Sequence, residues 1–269
     1  MEMKIALVGG GNMGEAITSA LLNKGICTPK DIYAADISEA RRQYLMQKYT
    51  IRVTPTNSEA IKDADVIIMA VKPQNLGEVL AGLTGKLKAG QLVLSIIAGA
   101  RIATLQEGLR HNCIVRSMPN TPAQIGEGMT VWTATKEVTE SQKNSVHSIL
   151  AVMGKEIYVE DEKAIDMATA VSGSGPAYFF LFVEALTEAA VAIGLSKEQA
   201  GIMVLQTMLG AGHLIEKSGK ESAELRRMVT SPGGTTAEAL RVFEEGAFNS
   251  LVAKAVAAAH QKAISLGKK

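Results

Sequence analysis

Apolar positions in the first 160 or so residues fall into short runs separated by helix-length stretches. Lys4-Ile-Ala-Leu-Val8 is a near-continuous apolar run, as expected for a strand covered on both faces of a parallel sheet. Residues 15–24 then read as a helix and residues 31–35 as a second strand. Residues 66–71, 92–97 and 113–117 repeat the strand pattern, each after a helix-length segment. This alternation predicts a doubly wound parallel sheet, a Rossmann-type α/β domain. Residues 129–134 and 156–159 flank a helix opened by Thr139-x-x-Gln142 and are expected to extend the sheet at one edge.

Beyond about residue 164 the strand signals vanish. A helix is expected over residues 176–193, apolar all round except for Glu184 and Glu188. A second begins at the Ser196-x-x-Gln199 capping box and runs to about residue 215. A third begins at Thr235, where Glu238 three residues on predicts another capping box, and runs to about residue 266 with a break near Gly246. The chain therefore divides into a dinucleotide-binding domain (1–162) and an all-α domain (163–269). Residues 164–215 carry only Asp166, Glu184, Glu188, Lys197 and Glu198 as charges, well below the 20% of the whole chain. A small helical domain cannot hide so much apolar surface alone, which predicts a homodimer or larger homo-oligomer.

With 269 residues and 47% apolar content the chain can bury a sizeable core. A net charge of +1 argues against a nucleic-acid or anionic-membrane surface. Cys27 and Cys113 fit neither a disulfide framework nor a metal-ligand spacing, so no metal site is expected and a reducing, cytoplasmic compartment is. The apolar run after Met1-Glu-Met-Lys4 stops at Gly9, too early for a signal peptide, and the apolar stretches read as too short to span a membrane.

Two glycine loops carry the chemistry. Gly9-x-Gly11-x-x-Gly14 follows a strand and opens a helix, the context that a dinucleotide fingerprint requires. Asp36, 22 residues beyond Gly14, is placed to accept from a ribose 2′-hydroxyl and to repel a 2′-phosphate. Ser38, Arg41 and Arg42 lie close enough in sequence to meet a phosphate, although Arg41 and Arg42 read first as a solvated helix face. The second loop, Met228-Val-Thr-Ser-Pro-Gly-Gly-Thr-Thr-Ala-Glu238, turns through Pro232 and two glycines into a helix start. Such a start offers free N–H groups and the positive dipole end to an anion. A general base is harder to find. His111, His147, His213 and His260 sit in no site-like motif, and Lys72 is better suited to contacting cofactor.

Together with Ser172-Gly-Ser-Gly-Pro-Ala-Tyr178, Ala70-Val-Lys-Pro73 and Met118-Pro-Asn-Thr-Pro122, these loops resemble the pyrroline-5-carboxylate reductase family, from about Lys4 to about Leu266. The resemblance implies NAD(P)H-dependent reduction of 1-pyrroline-5-carboxylate to L-proline. It implies that Gly9, Gly11, Asn12, Met13, Gly14 and Asp36 hold the cofactor. Asn57 would meet its adenine-side ribose, and Ala70, Val71, Lys72, Pro73, Ala98 and Gly99 would line its path. Val229, Ser231, Gly233, Gly234, Thr235 and Thr236 would bind the substrate, with Thr236 on the ring nitrogen, and Thr169, Ser174 and Gly175 would complete the pocket. Where the family often has His-Pro before Leu-Lys-Asp, this chain has Glu221-Ser222 before Leu225-Arg226-Arg227. The lack of a general base suits reduction of a protonated imine, where positioning dominates. Two alternatives stay open. A β-hydroxyacid dehydrogenase is expected to carry a lysine on the helix at 176–193, which has none; a non-catalytic nucleotide sensor has no need of a second anion loop.

Overall fold

The computed structural model describes residues 3–267; Met1, Glu2, Lys268 and Lys269, which the sequence-based domain bounds include, lie outside the described residues. The chain forms two compact units. One comprises the residues up to Ser174 together with those from Ala259 onward, and the other is Gly175–Ala258.

The first unit opens with β1 (Ile5–Val8), α1 (Asn12–Asn23), β2 (Ile32–Ala35), α2 (Glu39–Tyr49), β3 (Arg52–Thr54), α3 (Asn57–Ala60) and β4 (Val66–Met69). It continues with α4 (Leu76–Leu83), β5 (Leu92–Ser95), α5 (Ile102–Leu109), β6 (Ile114–Met118), β7 (Gly128–Ala134), α6 (Glu140–Ala151), β8 (Gly154–Tyr158) and α7 (Lys163–Ala168). The sheet order is β3-β2-β1-β4-β5-β6-β7-β8. All pairs are parallel except β6–β7, which is antiparallel. The two late strands extend the sheet at one edge, as the sequence pattern predicts. The short β3 at the other edge has no counterpart in that pattern. Alternate side chains of β1 enter different cores: Ile5 and Leu7 join Ile17 and Leu21 of α1, whereas Ala6 and Val8 join Leu80 and Leu83 of α4. Burial on both faces is why these strands read as continuous apolar runs.

After α7 the helix passes through a π-turn, Thr169–Gly173, into α8 (Gly175–Ala192). Then follow α9 (Lys197–Ser218), α10 (Ser222–Met228), α11 (Thr235–Glu245) and α12 (Phe248–Leu266). The Thr139–Gln142 and Ser196–Gln199 capping boxes both form. The expectation that no apolar stretch is long enough for a membrane is corrected here. The run Lys163–Ala192 is one 30-residue helical stretch containing an 18-residue window of mean hydropathy 1.2, long and apolar enough by length and composition to cross one. Within the helical unit Phe180 and Leu181 of α8 are 64% and 65% exposed, and Ile202 of α9 and Leu251 of α12 are similarly open. An apolar face of this size calls for cover.

Candidate active site

β1 and β4 are neighbours in the sheet, and the chain leaves the carboxyl end of β1 toward β2 and that of β4 toward β5, so the two connections diverge and open a crevice between them. The glycine loop fills that point. Gly9 has φ +103°, and a methyl group on it would sit 2.8 Å from the Ala70 carbonyl oxygen and 3.0 Å from Val71. A methyl on Gly14 would come within 2.4 Å of the Gly9 carbonyl oxygen, so only glycine lets α1 approach the strand this closely. Gly11 differs: it is the α1 N-cap, no side chain caps the helix, and a methyl there would meet nothing within 4 Å. Open space over an uncapped helix start, with Asn12 and Met13 in its first turn, fits a dinucleotide pyrophosphate.

The acid at the end of β2 is tied to this loop. Asp36 accepts the Gly10 N–H on Oδ2 at 2.9 Å and the Ser38 N–H on Oδ1 at 2.8 Å. Arg41 and Arg42 are not a solvated face, contrary to the sequence expectation. Arg41 donates to the Gly10 carbonyl and pairs with Glu15, while Arg42 donates to the carbonyls of Asp36 at 2.7 Å and Ile37 at 3.0 Å. Helical periodicity alone could not show that the chain bends its own carbonyls toward these guanidinium groups. Glu15 also accepts from Tyr44, Lys48 and Tyr49, each at 2.9 Å, which binds α1 to α2. Burial works to raise its pKa, but the hydrogen bonds from Lys48, Arg41, Tyr44 and Tyr49 prevail and hold it at about 2. The Lys48 ammonium is correspondingly raised by Tyr44 and Glu15. Nothing in the linear pattern marks Glu15 as the hub of this cluster.

The other cofactor candidates lie beyond strand ends in the same unit. Ala70, Val71, Lys72 and Pro73 follow β4, and the Ala70 N–H donates to the Val8 carbonyl at 2.8 Å, bringing this segment against the glycine loop. Lys72 is exposed at the start of a 3₁₀ turn. Ala98 and Gly99 follow β5, with Gly99 at φ +76° and packed on Leu266, while Asn57 opens α3 beyond β3. Burial pushes the thiols of Cys27, to about 11, and Cys113 upward, which leaves both unreactive. His111 is buried with Nε2 2.7 Å from the Gln91 carbonyl, and His147, exposed on α6, contacts Glu156 at 2.8 Å.

The π-turn carries Thr169, and Ser174 closes it by donating its N–H to the Thr169 carbonyl at 2.8 Å, with Gly175 next in the chain. π-Turns of this kind recur at functional sites. The hydroxyls of Thr169 and Ser172 donate back to the carbonyls of Ile165 at 2.7 Å and Ala168 at 3.0 Å, which leaves their lone pairs to accept. Underneath, the Arg116 guanidinium of β6, 2% exposed, grips Glu162 at 2.9 Å and Asp166 at 2.6 Å, one helical turn apart.

In the helical unit, Val229, Ser231, Gly233 and Gly234 form the turn before α11. Gly233 has φ +71°, and a methyl on Gly234 would strike Ser231 Oγ at 2.7 Å. The capping box expected from Thr235 and Glu238 does not form. Gly234 is the N-cap, no side chain caps the helix, and Glu238 turns to Arg241 at 3.1 Å. Thr235 and Thr236 are the first two helical residues, so their N–H groups belong to the open turn of the helix. An uncapped helix start after two glycines is a better anion seat than a capped one. Glu221-Ser222 and Leu225-Arg226-Arg227, where the chain departs from the family pattern, lie at the N-cap and within α10, and Arg226 supplies the carbonyl that Thr230 donates to at 2.6 Å.

Comparison with known proteins supplies a family context. Residues 162–266 match a family model described as pyrroline-5-carboxylate reductase dimerisation, and residues 4–99 match one described as NADP oxidoreductase, coenzyme F420-dependent. The pyrroline-5-carboxylate reductase of Synechocystis sp. is 40% identical over 269 residues, covering 100% of both chains. A solved pyrroline-5-carboxylate reductase from Coxiella burnetii superposes with a TM-score of 0.91 at 37% identity, covering 100% of both chains. A Plasmodium falciparum pyrroline carboxylate reductase, solved with NADP bound, gives 0.89 at 34% identity and 98% coverage of each chain.

Proposed function

The chain belongs to the pyrroline-5-carboxylate reductase family, and on that premise we propose how its residues divide the work. The protein is an oxidoreductase that reduces 1-pyrroline-5-carboxylate to L-proline with NAD(P)H, the closing step of proline biosynthesis. Residues 1–162 serve the cofactor and 163–269 serve substrate binding and association, a division supported by the start of the dimerisation match at residue 162.

The uncapped N-terminus of α11 carries the substrate reading. The N–H groups following Gly233 and Gly234, with the Ser231 hydroxyl, hold the carboxylate, and the turn from Val229 frames it. The Thr236 hydroxyl hydrogen-bonds the ring nitrogen, and Thr169, Ser174 and Gly175 are further substrate-binding residues. On the cofactor side the N–H groups at Gly11, Asn12 and Met13 face the pyrophosphate, while Gly9 and Gly14 allow the close packing of the loop. Asn57 and Asp36 meet the adenine-side ribose. Ala70, Val71, Lys72, Pro73, Ala98 and Gly99 line the cofactor path. The bound reduced nicotinamide supplies the hydride. Because a protonated imine accepts it directly to give the neutral amine, the protein needs no general base, and its task is orientation and electrostatic complementarity.

The protein assembles as a homo-oligomer; a dimer through the open face of α8 and α9 is the arrangement supported by the exposed Phe180, Leu181 and Ile202. A cytoplasmic location is supported by the free, buried Cys27 and Cys113, and cell fractionation that found the protein elsewhere would overturn it. The activity is tested by following reduced-cofactor absorbance with pyrroline-5-carboxylate and each nicotinamide in turn. No substrate-dependent loss with either would refute the assignment.

A further inference from the structure

Three alternate positions at and beyond the end of β6 lie against one helical run, Arg116 near its start and Met118 and Asn120 at its π-turn. Arg116 holds Glu162 and Asp166. Met118 packs on Gly173, where an added methyl would meet its Cε at 2.9 Å. Asn120 reaches Ser172, donating from Nδ2 to the Ser172 carbonyl at 3.1 Å, and its Oδ1 accepts the Met129 N–H at 2.8 Å. The amide orientation is fixed, because one partner is an acceptor and the other a donor.

The Ser172 carbonyl needs such a donor. In a continuing α-helix it would accept the N–H four residues on, but that residue is Pro176, which has none. The π-turn between Thr169 and Gly173 has already displaced the local ladder. Asn120 thus replaces a hydrogen bond that the sequence itself deletes, and it fastens the π-turn to β7 through one planar side chain.

We propose that Asn120 is a positioning residue for the reaction: its donation to the Ser172 carbonyl sets the π-turn that presents Thr169 and Ser174 to the substrate. The inference rests on the assignment of that turn to the substrate pocket.

Asn120→Asp tests it, since the ionised carboxylate keeps the acceptor for Met129 and loses the donor to Ser172. At pH 8 the variant should lose about ten- to a hundredfold in kcat/KM for pyrroline-5-carboxylate, while the Kd for reduced cofactor, read by fluorescence, stays within about twofold of wild type. A protonated carboxyl can donate again, so its activity relative to wild type should climb as the pH falls from about 8 toward about 5. Asn120→Ala should show the loss without the recovery. Adding Pro176→Ala to Asn120→Ala returns an N–H to the helix and should restore part of the activity. A folded Asn120→Asp with wild-type kcat/KM at pH 8 would overturn the proposal. So would a loss independent of pH, an equal loss of cofactor affinity, or no gain from Pro176→Ala. A wild-type enzyme that failed to turn over pyrroline-5-carboxylate would instead refute the functional assignment and leave the Asn120 geometry standing.

Discussion

Asp36 and Gly10 are joined by a 2.9 Å hydrogen bond from the glycine N–H to Oδ2, so the acid at the end of β2 helps to shape the glycine loop, in addition to the ribose contact proposed for it. With Ser38 donating to Oδ1, both carboxylate oxygens have a backbone partner and lone pairs to spare. The two roles separate experimentally.

A carboxylate beside a 2′-phosphate is repulsive, so Asp36→Ser should raise the NADPH-to-NADH ratio of kcat/KM by about tenfold or more. The lost Gly10 contact should weaken binding of both cofactors together by a few-fold. Kinetics with each nicotinamide read both effects. An unchanged ratio would remove Asp36 from the ribose.

The glycines of the loop should fail in different ways. Gly14→Ala puts a methyl 2.4 Å from the Gly9 carbonyl oxygen and should lower thermal stability along with cofactor affinity. Gly11→Ala meets nothing within 4 Å and should fold with an unchanged Tm. Its methyl would stand instead where the pyrophosphate is proposed to approach, so the cofactor KM should rise by about tenfold or more. Calorimetry alongside kinetics separates the two, and equal stability losses would contradict the open space at Gly11.

Glu15 predicts an acid-side effect. Its folded pKa, about 2, lies below the ordinary value of 4.5, so its stabilisation is complete above about pH 4.5 and is lost as the pH falls toward 2. Allowing for solvent around its partners, this amounts to about 1–2 kcal/mol. Urea midpoints should therefore show Glu15→Gln less stable than wild type at pH 6, with the gap narrowing by pH 3. A gap that persisted at pH 3 would mean that the charge is not its source.

Much of this was legible in the chain. Ile5–Val8, Val66–Met69 and Leu92–Ser95 are covered on both sides, and that burial is written directly as unbroken apolar runs. β3 escaped notice because it has three residues, with Arg52 exposed at the sheet edge. The Ser196 and Thr235 motifs share one spacing yet differ in outcome. Ser196 takes the extended cap conformation itself, whereas Gly234 takes it ahead of Thr235 and leaves Glu238 to Arg241. Local spacing does not say which residue will adopt that conformation. The glycine loop was legible in the same way as the strands, but the side chains that brace the site were not. Glu15, Arg41, Arg116 and Asn120 find partners 26 to 52 residues away, which no short pattern encodes.

The open face of α8 should be the seam between subunits. Burying a Phe or Leu side chain is worth about 1.5–3 kcal/mol, so Phe180→Glu combined with Leu181→Glu should weaken association about a hundredfold or more. Sedimentation should then show a 28.4 kDa species where the wild type is larger. An unchanged oligomer would place the interface elsewhere.

The two threonines that open α11 should separate binding from packing. Thr236 is the second helical residue, and its hydroxyl is assigned to the substrate nitrogen; Thr235 is the first, and it caps nothing. A hydrogen bond to a group charged in the reaction is worth roughly 1.5–3 kcal/mol. Thr236→Ala should therefore cost about ten- to a few-hundredfold in kcat/KM at an unchanged Tm. Thr235→Ala should leave the Tm unchanged as well, because the roughly 1 kcal/mol that a lost cap costs does not apply here. It should also keep most of the turnover, since its backbone N–H remains. Gly234→Ala makes a third arm: its methyl would strike Ser231 Oγ and displace the hydroxyl assigned to the carboxylate, so the substrate KM should rise while the cofactor KM holds. Wild-type turnover in Thr236→Ala with a collapse in Thr235→Ala would exchange the two roles. If none of the three variants altered turnover, the turn before α11 would not be the substrate site.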